Sequence, residues 1–156
     1  MNRLAILMVG FACGAMFSVA QGSAQPGSIE LKREIIRTAD APLQSTLYSQ
    51  GVKVGSTLYV TGMLGVDPRT LQPVGPTIQE QTRQALINCE SILRAAGATR
   101  ENVVDVQVLL ARPADFAGLN EEYAKFFTTD PPTRTVGRLG PELPGMLVSI
   151  RMTAIL

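Results

Sequence analysis

The chain has 156 residues without histidine or tryptophan, and its 14 basic side chains nearly balance 13 acidic ones. The lack of histidine excludes a Ser-His-Asp triad, a Cys-His dyad and any zinc site that uses histidine, and two cysteines are too few for a four-thiolate metal site. A net charge of +1 argues against a nucleic-acid-binding protein, because such proteins normally present a basic surface.

The N-terminus has the layout of a secretory signal peptide. Arg3 supplies a positive charge, the run from Leu4 to Ala20 is uncharged, and a polar segment rich in small residues follows. Small residues favour cleavage after Ala24, with cleavage after Ala20 as the alternative. A retained membrane anchor stays open because the run is just long enough to span a bilayer, and Cys13 leaves open a lipidated N-terminus.

Removal of residues 1–24 as a signal peptide would leave a chain with no net formal charge and one cysteine, Cys89. A single thiol forms no internal disulfide, so export does not imply a disulfide framework here. We expect a periplasmic or secreted protein whose only membrane contact is the signal segment. Residues 25–34 would then form an N-terminal segment, and residues 35–156 one folded domain.

Apolar periodicity along this domain predicts six strands and two helices. Gly55-Ser56 predicts a hairpin between the second and third strands, and Asp67-Pro68-Arg69-Thr70 predicts a turn in the loop that follows, residues 62–75. The predicted strands are Ser28–Thr38, Tyr48–Val54, Thr57–Thr61, Val103–Leu110, Thr133–Leu139 and Met146–Ile155, and the predicted helices are residues 77–96 and 114–127.

Both predicted helices are amphipathic. Thr77 and Glu80 predict a capping box at the start of the first helix, and Cys89 on its apolar face is expected to be a buried core thiol. Asp115 is expected to cap the second helix. Glu121 and Glu122 are expected on its wet face. Its expected core residues are Phe116, Leu119, Tyr123, Phe126 and Phe127.

The predicted order is β-β-β-α-β-α-β-β, which indicates a two-layer α+β fold with both helices against one sheet. A single helical layer leaves the other face of the sheet bare. We expect this face to meet an apolar surface, most simply through self-association.

Two strand arginines are the first candidates for chemistry, because a buried charge is costly unless it is paired. Arg134 opens the fifth predicted strand, where a guanidinium can form either a structural salt bridge or a bidentate pair with a ligand carboxylate. Arg151 shares one face of the last strand with Ser149 and Thr153, where it is either a solvent-side or an interface arginine. No motif points to a metal or a phosphate-binding loop.

The chain from about residue 35 to 155 resembles the RidA (YjgF) family of reactive-intermediate deaminases. Short matching stretches occur in the family's order over about 120 residues, and together they make the resemblance specific. They include Tyr48-Ser49-Gln50-Gly51, Leu58-Tyr59-Val60-Thr61-Gly62, Val66-Asp67-Pro68-Arg69-Thr70, Leu119-Asn120-Glu121-Glu122-Tyr123, Pro132-Thr133-Arg134-Thr135-Val136-Gly137 and Leu143-Pro144-Gly145-Met146.

The resemblance implies a chorismate-mutase-like fold, assembled as a homotrimer with active sites between subunits. It also implies hydrolysis of enamines and imines, such as 2-imino acids, to 2-keto acids and ammonia without a cofactor. Arg134 matches the arginine that grips the substrate carboxylate, and Tyr48 matches the tyrosine at the mouth of the cleft. Thr61-Gly62 match the segment that lines the pocket, and Asn120 and Tyr123 match helix residues near it.

Two departures from the family pattern bear on function. Met63 stands where the family usually has glutamine, and Arg151 stands where it has the glutamate thought to handle water. An arginine cannot act as a general base near neutral pH but can bind a second anionic group. Glu142 is an alternative source of a carboxylate. The sequence therefore leaves two hypotheses: a 2-imino acid hydrolase, or a weak or inactive relative that binds small carboxylates at the subunit interface.

Overall fold

The structure is a computed structural model, and it describes residues 31–42, 46–140 and 143–156. The predicted signal peptide and Glu142 lie outside the described residues. Six strands and two helices follow one another in the predicted order, which confirms the α+β fold. They are β1 (Arg33–Ile36), β2 (Gly51–Val54), β3 (Thr57–Leu64), α1 (Ile78–Ala95), β4 (Val103–Leu110), α2 (Phe116–Phe126), β5 (Thr133–Arg138) and β6 (Val148–Ile155).

The six strands form one sheet in the order β1-β2-β3-β6-β4-β5. The β1-β2, β2-β3, β3-β6 and β4-β6 pairs are antiparallel, whereas β4 and β5 are parallel. A parallel pair requires a crossover, and α2 provides it. The last strand of the chain, β6, therefore lies inside the sheet between β3 and β4.

Strict alternation in β6 shows which face of the sheet is the core. Val148, Ile150, Met152 and Ala154 are buried, whereas Ser149, Arg151, Thr153 and Ile155 are partly or fully exposed. The buried set packs against the helices, and each large apolar side chain buried there contributes about 1.5–3 kcal/mol. We call the opposite side the open face.

The open face carries both polar and apolar side chains, and the expected self-association through it stays a prediction. Tyr59 and Ile155 are exposed there, and Arg151 and Gln107 lie opposite each other in the register of β4 and β6. Polar and charged side chains therefore stand among the apolar ones, and such a surface can accommodate solvent, a ligand or another subunit.

The strand β3 runs three residues further than predicted, because a bulge carries it past Gly62. The register with β6 shifts between Val60 and Met63, and pairing resumes with Met63 opposite Ile150. A Cβ at Gly62 would lie 2.7 Å from Ser149 Oγ, so glycine permits this close approach of the two strands. The sequence indicated a loop here because glycine weakens a strand signal.

The helix α1 agrees closely with its prediction. Thr77 and Glu80 form the predicted capping box, and Gly97 follows the helix with φ +78°. Cys89 is fully buried, and its thiol lies 3.3 Å from the carbonyl oxygen of Ile150. Burial raises the pKa of this thiol far above its ordinary value, so Cys89 is a core residue rather than a nucleophile.

Three expectations for α2 are wrong. Phe116 is 45% exposed, because it lies at the helix start beyond the edge of the core. Asp115 makes no capping hydrogen bond; its Oδ2 accepts from Arg112 Nε at 2.8 Å instead. Glu122 is buried on the side that faces α1, whereas Glu121 is exposed as expected.

The side chain of Gln81 in α1 forms hydrogen bonds with three backbone groups that belong to two loops. Its amide nitrogen donates to the carbonyl oxygens of Gly75 at 2.9 Å and Gly145 at 2.8 Å, and its amide oxygen accepts from the Leu147 N–H at 2.9 Å. Gln81 is fully buried, and a Cβ at Gly65 would collide with it. This one residue therefore holds the loop after β3 and the loop before β6 in place.

Glu122 is the centre of a charge cluster between the helices. Its carboxylate accepts from Arg83 at 2.9 Å through both oxygens and from Lys125 at 2.7 Å. The Arg83 hydrogen bonds, together with that from Lys125, hold the pKa of the Glu122 carboxyl below its usual value of 4.5. The buried anion is thus stabilised by two cations that themselves remain in contact with solvent.

We expect Glu122→Gln to lower the free energy of unfolding by about 1–2 kcal/mol at pH 7, since the solvated cations lose a partner but are not left buried. A carboxyl whose pKa is lower in the folded than in the unfolded state stabilises the fold at pH values above its unfolded-state pKa. This contribution is lost as pH falls through the folded-state pKa. The difference from wild type should therefore shrink as pH falls below 4.5 and vanish only once pH is below the lowered folded-state pKa of Glu122. Urea titrations at several pH values measure this, with Glu121→Gln as control; a pH-independent difference would contradict it.

Candidate active site

The guanidinium of Arg134 lies on the helix-facing side of β5, against aromatic rings of α2. Its Cζ is 4.5 Å from the centroid of the Tyr123 ring and 5.9 Å from that of Phe116. Within residues 31–42, 46–140 and 143–156, no carboxylate forms an ion pair with it. Arg134 is therefore held by cation–π contact, and its hydrogen-bond donors remain available to a ligand.

Two polar atoms of α2 are buried without a hydrogen-bond partner among the described residues: Asn120 Oδ1 and the hydroxyl of Tyr123, whose ring contacts Arg134. Asn120 and Tyr123 are three residues apart and therefore share a helix face. Burial raises the pKa of the Tyr123 hydroxyl, and the nearby charge of Arg134 opposes this rise. An unpaired buried polar atom costs about 1–3 kcal/mol, so both atoms call for a polar partner that the described residues do not supply.

A second group of predicted residues lines a cavity of about 810 Å³ on the open face. Tyr48, Thr61, Gly62 and Arg151 belong to it. The sequence did not single out the other lining residues, which are Arg33, Arg37, Thr46, Leu47, Ser49, Val52, Tyr59 and Val60. We refer to this space as the arginine cavity, since three arginines and no aspartate or glutamate stand among its described lining residues.

The sheet separates the two groups within one chain. Arg134 is level with Val106 of β4, and Val106 is level with Met152 of β6, so the three share the helix-facing side. Arg151 alternates to the open face. Two strand spacings, about 10 Å, also separate β5 from β6. A single subunit therefore does not unite Arg134 with the arginine cavity.

Two negative observations complete the description of the site. In the described part of the chain, no group of three or more Cys, Asp or Glu side chains could hold a metal ion. Nor does this part contain a helix long and apolar enough to cross a membrane.

Comparison with known proteins identifies the family. A model of the family described as "Endoribonuclease L-PSP" matches residues 38–156. The chain belongs to the RidA (YjgF) family. A RutC family protein of Saccharolobus solfataricus is 41% identical over 122 residues, covering 78% of this chain and 97% of that protein. The human 2-iminobutanoate/2-iminopropanoate deaminase is 39% identical over 125 residues, covering 80% and 91% respectively.

Solved RidA-family structures share the fold. RidA of an Antarctic Psychrobacter species superposes with a TM-score of 0.74 at 33% identity, covering 79% of this chain and 99% of that one. TdcF of Escherichia coli, solved with bound serine, superposes with a TM-score of 0.74 at 30% identity, covering 79% and 98%. The strand order and helix placement described above are therefore those of the RidA fold.

The two residues for which the sequence predicts a departure from the family pattern lie in different surroundings. Met63 is buried in the core and is not among the residues that line the arginine cavity. Arg151 lines the cavity directly. Arg151 therefore contributes positive charge to the candidate site, whereas Met63 contributes to core packing.

Proposed function

We propose that the protein hydrolyses 2-imino acids to 2-keto acids and ammonia, with the substrate carboxylate held by Arg134. The observation that carries this proposal is a guanidinium without an ion-pair partner among the described residues, stacked on Tyr123 beside buried polar atoms. A carboxylate accepts two parallel hydrogen bonds from such a fork. The relatives named as 2-iminobutanoate/2-iminopropanoate deaminases support the same reaction class.

The reaction needs little from the protein beyond positioning. Water oxygen bonds to the imine carbon, protons pass to the nitrogen, and the C–N bond then breaks to release ammonia and leave a 2-keto acid. Arg134 fixes the carboxylate next to the reacting carbon, and the Tyr123 ring keeps the guanidinium in one orientation. Asn120 Oδ1 offers an acceptor for the imine N–H or for water. Holding water and substrate in line lowers the barrier by reducing the entropy lost on reaction.

We propose further that the complete site lies between subunits of a homotrimer. Because the sheet separates Arg134 from Tyr48, Thr61, Gly62 and Arg151 in one chain, a neighbouring subunit must supply one group for both to contact the same ligand. The mixed open face is the surface for this contact. The site would thus need association before it could act.

A second candidate function is non-catalytic binding of small carboxylates. The arginine cavity favours it, since none of its described lining residues is a carboxylate that could serve as a general base. Both candidates require Arg134 to bind a carboxylate. The two candidates differ in whether the protein hydrolyses an imine that it has bound.

A capture assay with the full-length protein separates the two candidates. An amino acid oxidase generates 2-imino acids from alanine, 2-aminobutyrate, aspartate or glutamate, and semicarbazide traps them for spectroscopic detection. A hydrolase should reduce the captured fraction in proportion to its concentration and raise the 2-keto acid produced. Heat-denatured protein is the control. Unchanged capture for every imino acid, together with calorimetric binding of carboxylates, would instead establish the binding function.

A further inference from the structure

The three arginines of the arginine cavity come from two distant parts of the sequence. Arg33 opens β1 and Arg37 directly follows it, while Arg151 lies near the middle of β6. Arg33 lies opposite Val54 of β2, and Val54 faces the same side of the sheet as Val52, two residues earlier. Val52 lies opposite Tyr59, which in turn lies opposite Thr153 on the open face. Strand alternation therefore directs Arg33 and Arg151 to the same side of the sheet.

The charge of this cavity is not neutralised by the described part of the chain. None of the three guanidinium groups forms an ion pair with a described carboxylate. The acidic neighbour in β1, Glu34, lies opposite Lys53 and alternates to the other face. Three like charges around one concave space raise its positive potential, because low-dielectric walls focus the field.

The other lining groups suit an oxyanion. Hydroxyls of Ser49, Thr61, Tyr48 and Tyr59 stand among the arginines, and Val52 supplies apolar wall. The volume of about 810 Å³ is that of a small-molecule site rather than a single-ion site. Guanidinium forks and hydroxyls together recognise carboxylate or phosphate oxygens.

We propose that the arginine cavity binds the distal carboxylate of a dicarboxylic ligand through Arg37 and Arg151, which the strand register places level with each other, while the other carboxylate is held by Arg134 of a neighbouring subunit. Arg33 lies four residues further along the strands and adds positive charge at the cavity wall. The inference rests on the proposed function and specifies its substrate class: 2-imino acids derived from acidic amino acids. A monocarboxylic substrate leaves the arginines of the cavity unused, whereas a dicarboxylic one places one carboxylate at Arg134 and the other in the arginine cavity. The substitution of arginine for the glutamate expected at residue 151 then changes which substrate is bound.

The test is calorimetric titration of the full-length protein at fixed ionic strength. Succinate and 2-oxoglutarate are compared with butyrate and 2-oxobutanoate, so binding is measured without turnover. We expect the dicarboxylates to bind at least about tenfold more tightly, since a second charge-assisted pair forms. Arg37→Gln and Arg151→Gln should each weaken succinate binding about fivefold or more and leave butyrate binding within about twofold.

Arg94→Gln is the matched control, because it removes one exposed positive charge from the helix layer on the other side of the sheet. Equal affinity for succinate and butyrate, unaffected by Arg37→Gln and Arg151→Gln, would overturn the inference. Loss of butyrate binding in Arg134→Gln would in that case still support the proposed function. Inorganic phosphate is titrated in parallel. Phosphate binding that exceeds succinate binding and needs the same arginines would overturn the dicarboxylate assignment in favour of a phosphorylated ligand.

Discussion

Arg134→Gln is expected to lower kcat/KM for 2-imino acid hydrolysis by about 100- to 1,000-fold. A bidentate, charge-assisted pair with a carboxylate contributes about 3–4 kcal/mol, and glutamine replaces it with one neutral hydrogen bond. The loss should fall on catalytic efficiency for every substrate that carries a 2-carboxylate. The semicarbazide capture assay, run over a range of substrate-generating rates, measures it.

The fold should survive this substitution. Among described residues Arg134 contributes only cation–π contacts, and such contacts at partly exposed sites are worth about 0.5–1 kcal/mol. Arg134→Lys keeps the charge but loses the planar fork, so an intermediate loss of about tenfold is expected. Arg138→Gln, which lies on the same strand and alternates to the same face, is the matched control. Wild-type activity in Arg134→Gln would remove Arg134 from the site.

Gln81→Leu is expected to lower the free energy of unfolding by about 3 kcal/mol. The change removes three hydrogen bonds to Gly75, Gly145 and Leu147 at nearly constant side-chain volume. Each contributes about 1 kcal/mol, and any backbone group left buried without a partner adds to the loss. Urea denaturation followed by far-ultraviolet circular dichroism measures the difference.

Gln84→Leu provides the comparison on the same helix. Gln84 makes one hydrogen bond, from its Nε2 to Asn88 Oδ1 at 2.9 Å, and it is only half-buried. Its loss should cost less than about 1 kcal/mol. If the two variants were equally stable, Gln81 would not hold the loops, and their positions would have to depend on other contacts.

The order of elements was predictable because local patterns agree with tertiary packing through most of the chain. The capping box at Thr77 and Glu80, the burial of Cys89 and the alternation of β6 all follow from spacing alone. Such features depend on neighbours within one helix or strand. They therefore survive without knowledge of the rest of the fold.

The errors arose where a distant partner decides the outcome. Glu122 is buried because Arg83 of α1, 39 residues earlier in the chain, forms an ion pair with it. The extension of β3 past Gly62 depends on pairing with β6, almost ninety residues later. A single-sequence pattern contains none of these long-range contacts.

The candidate site was predictable in part. Arg134 and Arg151 stood out as charges in strands, and the family resemblance added Tyr48, Thr61, Gly62 and Asn120. The contribution of Arg33 and Arg37 was missed, although their four-residue spacing across β1 is the signal that would place them on one face. No local sequence pattern predicts the strand register from β1 to β6, which brings Arg33 and Arg37 to the same cavity as Arg151.

The strand order also bears on the solubility of the protein. The terminal strands β1 and β5 each leave one row of backbone N–H and C=O groups unpaired by the described sheet. Arg33 and Glu34 stand on the first, which is only four residues long, and Arg134 and Arg138 stand on the second. Charged and short edge strands disfavour the addition of a further strand. Growth of the sheet from either edge into fibrils is therefore disfavoured.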